Sequence, residues 1–93
     1  MLVGTLEVRL LVRGSTSLKD KRRAIKSLKE RLQGTFNSAV AEVDQLDDRR
    51  QATFGIAVVG NDQRFLDSCL NKIVNYIRRD REVELVDYEI DFR

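Results

Sequence analysis

The chain has 93 residues, 42% hydrophobic and 34% charged, with no Pro, no His and a single Cys. That length is one domain, residues 1–93, and a formal net charge of +2 conceals strong local imbalance. The composition lacks the His and Cys sets that zinc, haem, iron–sulfur clusters and His-based catalysis require.

Leu2 to Arg13 alternates, with Leu2, Gly4, Leu6, Val8, Leu10 and Val12 on one side. Period two predicts a long half-buried strand. Gly14-Ser15-Thr16-Ser17 breaks it. Ser17 is a natural N-cap, with Asp20 three residues on. Residues 18–33 change to helical spacing, with Leu18, Ile25, Leu28 and Leu32 on one stripe. Gly34 is placed to end that helix. Residues 36–45 read as a small, mixed strand. Gln45 to Arg50 is a polar connection. Residues 52–59 are the most apolar run and predict a central strand.

Gly60-Asn61-Asp62 interrupts the chain again. A second helix follows over 63–79, with Leu66, Cys69, Leu70, Ile73 and Ile77 inward. Glu82 to Phe92 alternates as a last strand, with Val86, Tyr88, Ile90 and Phe92 on its core side. The order β-α-β-β-α-β is the split βαβ of the ferredoxin-like α+β fold. Right-handed crossovers give a four-stranded antiparallel sheet of order 4-1-3-2 with both helices on one face.

No apolar run reaches the ~18 residues of a spanning helix, so no membrane contact is expected. The start meets its first charge at Glu7 without a basic segment, so it does not read as a signal peptide. Lone Cys69 suits a reducing compartment, and a cytoplasmic location is expected. A base-stacking RNA module needs aromatics on its central strands. Only Phe54 is present there, and its alternation with Ile56 and Val58 assigns it to the core. No cofactor, metal site or small-molecule ligand is expected. No nucleophile–base pair can be assembled, so an enzyme is not expected.

Charge is distributed unevenly. Residues 17–33 carry seven basic groups against Asp20 and Glu30, a net +5. Residues 82–93 carry five acids against Arg93, a net −4. On the first helix Lys19, Arg22, Arg23, Lys26 and Lys29 fall in one stripe about 120° wide, away from the apolar stripe. Such a stripe is a footprint for nucleic-acid phosphate; a solvated helix face is the plainer alternative. Arg78, Arg79 and Arg81 suit a helix C-terminus. Lys21 departs from the stripe and projects near the edge of the apolar face. It either snorkels or reaches a carboxylate of the sheet, Glu42 or Asp44. Asp87, Glu89 and Asp91 share a face of the last strand, and Arg9 and Arg13 are their expected cross-strand partners.

Two runs carry a resemblance: Ser17-Leu18-Lys19-Asp20-Lys21-Arg22 after the long first strand, and Ala41-Glu42-Val43-Asp44 in the second. With the length and element order they resemble the YlxP-like family of small bacterial proteins across essentially the whole chain. Family members often carry Trp near the position of Asp48-Arg49-Arg50-Gln51, and this chain has no aromatic there. The resemblance implies a ferredoxin-like fold, no catalytic residues, no cofactor, and a setting in translation or ribosome maturation. Two expectations follow. One is an accessory protein touching RNA or the ribosome through its basic helix. The other is a protein-interaction module or homodimer without nucleic acid, using an open sheet face around Gly55 and Ala57.

Overall fold

The structure is a computed structural model and describes residues 1–93. The elements are β1 (Leu2–Val12), α1 (Leu18–Phe36), β2 (Ala39–Asp44), β3 (Gln51–Gly60), α2 (Gln63–Arg78) and β4 (Val83–Phe92). They form one antiparallel sheet of order β2-β3-β1-β4. This is the ferredoxin-like arrangement, and β1 is paired on both sides. No helix is long and apolar enough to cross a membrane.

The core lies between the sheet and the helices. Even-numbered residues of β1 and β3 meet it, among them Leu6, Val8, Leu10, Phe54 and Ile56. Ile25, Leu28 and Leu32 of α1 and Leu66, Leu70, Ile73, Val74 and Ile77 of α2 close it from one side. Each such side chain, once buried, contributes roughly 1.5–3 kcal/mol of transfer free energy. Odd-numbered residues of β1 and β3 form the opposite face, which no helix covers.

Several expectations are corrected. Gly34 does not stop α1. The helix continues to Phe36 and ends at Asn37, whose φ of 49° is the left-handed cap. Asn adopts that conformation readily because its amide can bond locally. The second strand accordingly begins at Ala39, not 36. On β4 the alternation breaks. Arg9 pairs with Asp87 but Leu10 pairs with Leu85, so Val86 is an extra residue in a bulge. Val83 and Leu85 therefore turn inward, and Val86 is 59% exposed. Tyr88 keeps its side of the sheet but is 37% exposed at the edge, beneath the Arg78 guanidinium 5.5 Å from its ring centroid. Cys69 is only half-buried, because it lies on the flank of the α2 stripe; Val74 on the other flank is buried instead.

A second bulge on β2 leaves Val43 without a partner between Glu42 and Asp44. Its methyls lie over Gly55, where an added Cβ would meet Val43 Cγ1 at 3.0 Å. Gly55 is thus small because Val43 occupies the space above it.

Candidate nucleic-acid interface

The N-terminus of α1 is assembled from local hydrogen bonds. Ser17 is extended at φ −149° and its Oγ accepts from the Asp20 amide at 3.1 Å. The Asp20 carboxylate in turn accepts from the Thr16 hydroxyl at 3.1 Å and the Thr16 amide at 3.4 Å. Orphan amides at a helix start are satisfied in this way. The backbone and side-chain bonds from Thr16 hold the Asp20 carboxyl below the usual range.

Lys21 does not lie at the edge of the apolar face. A rotation of 100° per residue puts it midway between Leu28 and Leu32, roughly 20° from each. Its side chain is fully buried. The ammonium bonds Glu42 Oε2 at 3.0 Å, the Gln45 carbonyl at 2.8 Å, the Gln51 carbonyl at 3.1 Å and the Leu46 carbonyl at 3.3 Å. An ammonium has three protons, so one is shared. Glu42 reaches it because β2 turns Glu42 to the core side, opposite Phe54. Asp44 does not: its carboxylate accepts from the Gln45 amide at 2.7 Å. Lys21 therefore binds the β2–β3 connection to the start of α1. Asp48 braces the same connection by accepting from the Arg50 and Gln51 amides, both at 2.8 Å. Those two bonds hold its carboxyl low. No sequence signal marked the carbonyls of Gln45, Leu46 and Gln51, since any residue type can supply one.

The basic stripe takes the other side of α1. Lys19, Arg22, Arg23 and Lys26 are exposed, and Lys29 is half-buried at the stripe's margin. Arg31, roughly 140° around the helix from the stripe's centre, reaches α2 instead, at Asp80 Oδ2 (2.8 Å) and the Tyr76 hydroxyl (3.4 Å). The stripe consequently faces solvent and the β2 flank. Arg23 pairs with Asp20 at 3.2 Å. Lys19, Arg22, Lys26 and Lys29 have no carboxylate within 4.0 Å. Four cations are thus free to meet an anion, and an exposed pair like Arg23–Asp20 is weak enough to exchange partners.

The remaining candidates are structural. Arg9 pairs with Asp87, and that hydrogen bond holds the Asp87 carboxyl low. Arg13 does not pair with Asp87, Glu89 or Asp91. It sits beside Glu84 at 3.8 Å and donates to the carbonyls of Asp80, Arg81 and Val83, because it lies past the bulge. No group of three or more acidic or thiol side chains is arranged to hold a metal ion.

The family described as "Protein of unknown function (DUF503)" matches residues 3–90. The chain belongs to that family. It is 28% identical over 83 residues to "Uncharacterized protein YlxP" of Bacillus subtilis (strain 168), covering 89% of this chain and 90% of that protein. The YlxP-like relation implied by the two motifs therefore holds. Among solved structures, a de novo designed protein with a ferredoxin fold, determined by solution NMR, aligns over all of this chain and 84% of its own. The TM-score is 0.45 and the identity 16%.

Proposed function

We propose that this DUF503 protein is a non-enzymatic cytoplasmic accessory protein that contacts RNA, or the RNA of the ribosome, through α1. One observation carries the reading: Lys19, Arg22, Lys26 and Lys29 stand together on one helix flank without carboxylate partners. Cations so arranged gain by releasing counterions from phosphate. They supply affinity and orientation with little base readout, since none is placed on a strand beside an exposed aromatic. Rigidity supports the reading too. The stripe belongs to a helix whose inner side is anchored by Lys21, Leu28 and Leu32, so the spacing of its charges is set before contact.

The test is binding of the full chain to ribosomal RNA and to assembled subunits across a salt series. Affinity should fall steeply as salt rises, with a log–log slope of about −0.7 to −0.9 per phosphate contact. Absence of binding at low salt overturns the proposal.

A further inference from the structure

We infer that the helix-free face of the sheet is a docking site for a cationic, amphipathic segment of a partner protein. The inference is independent of the phosphate reading of α1, because it uses the opposite side of the molecule.

The face has two unlike halves. The β2–β3 half is apolar and low. Ala39, Ala41 and Ala57 form the apolar end of an open groove of about 560 Å³ that runs across the sheet to Glu7, Glu89, Asp91 and Arg93, and Val43 lies half-exposed over Gly55. Small side chains leave room for an incoming aliphatic one. The β1–β4 half is acidic. Glu7 lies directly opposite Glu89 in the ladder, and neither carboxylate has a cation within 4.0 Å. Asp44 joins them around one depression of about 300 Å³, which the Arg9–Asp87 pair also lines. The two arginines of this face are already engaged, Arg9 with Asp87 and Arg93 with Asp91 at 3.8 Å. Like charges directly opposite on a sheet are destabilising, and neither member of this pair has an ion-pair partner of its own in the free chain. A Lys or Arg laid across it relieves the repulsion, while the partner's aliphatic side chains enter the adjoining groove.

Charge selects this occupant over two others. Nucleic-acid phosphate is repelled by Glu7, Asp44 and Glu89. A second copy of the chain fits poorly as well. With sheets face to face, one two-fold axis sets acidic half on acidic half, and the other sets acidic half on apolar half. In both arrangements the half laid over the Glu7–Glu89 pair is acidic or apolar rather than cationic.

The experiment titrates the isotope-labelled full chain with a 14-residue amphipathic peptide of Leu and Lys, followed by amide chemical shifts. A Leu–Glu peptide of the same pattern is the control. Shifts should concentrate at Thr5, Glu7, Ala41, Gly55, Ala57 and Glu89, and added salt should weaken binding. The double variant Glu7→Gln with Glu89→Gln should lose roughly fivefold in affinity and unfold at the same or a higher temperature, since it removes a repulsion. Ala57→Arg should block the groove. The inference is overturned by shifts centred on α1 or α2, by equal binding of the Leu–Glu peptide, or by unchanged affinity of the double variant. No shift at peptide concentrations of about 1 mM also overturns it. Self-association of the chain alone, abolished by Ala57→Arg, overturns it in favour of a second copy.

Discussion

Lys21 and the basic stripe occupy the same helix and carry the same charge, yet their surroundings are opposite. Lys21 is sealed from water and its ammonium is held by one carboxylate and three carbonyls. Lys19, Arg22 and Lys26, one or a few residues away, are exposed and have no carboxylate partner. The difference shows that a cation's role follows from which side of the helix it leaves. The inner one joins three segments of the fold. The outer ones are kept available.

Removing Lys21 should separate the two roles most sharply. Lys21→Met keeps most of the volume but leaves Glu42 and the carbonyls of Gln45, Leu46 and Gln51 without their donor. A loss of about 3–5 kcal/mol in chemical unfolding is expected, the range for breaking a buried pair from one side. The affinity of the folded fraction for RNA should not change. A variant as stable as the parent would show that water replaces the ammonium and that Lys21 anchors nothing.

Ser17→Ala should cost about 1 kcal/mol, through the lost cap on the Asp20 amide. Thermal unfolding reads this. A neutral result would mean that the Asp20–Thr16 bonds are sufficient to start α1.

Arg23→Ser together with Lys26→Ser should change stability by less than about 0.5 kcal/mol, since both point to solvent. Binding to RNA should weaken by similar factors for unrelated sequences, and the salt slope should fall by roughly two units or less. An unchanged slope would move the phosphate contact off the stripe.

The smallest effect concerns acid. The carboxyls of Asp20, Asp48 and Asp87 are held below the usual range by, respectively, bonds from Thr16, from the Arg50 and Gln51 amides, and from Arg9. A depressed folded-state pKa contributes stability that is present above the unfolded value near 3.8 and is lost as pH falls through the folded value. Unfolding midpoints should therefore be level above about pH 5 and decline below about pH 4. A decline beginning near neutrality would point to a different titrating group.

Much of the fold was legible in the sequence because its signals are local. Period two over Leu2–Val12, helical spacing over 18–33 and the Gly60-Asn61-Asp62 break each lie within one element, and strand order followed from crossover handedness. Gly34 misled because glycine marks a helix end only when the chain must turn left-handed there, and here Asn37 does so. The basic stripe was legible because exposed charges on one helix face need no partner to be recognised. Glu42 was legible only as one of two carboxylates, and the bulge at Val43 separates it from Asp44.

What sequence periodicity determined is therefore the set of elements, the inner and outer sides of α1, and the uneven charge, all properties of residues close in the chain. Tertiary structure decided the rest. The bulge at Val86 reverses the facing of β4, and it exists because of how β4 registers against β1, a partner some eighty residues away. The burial of Lys21 depends on three carbonyls and a carboxylate delivered by the β2–β3 connection. The meeting of Glu7 with Glu89 depends on the same β1–β4 register. A long-range register and the direction of a backbone carbonyl are not encoded by residue type at one position, so they become visible only when the strands are paired.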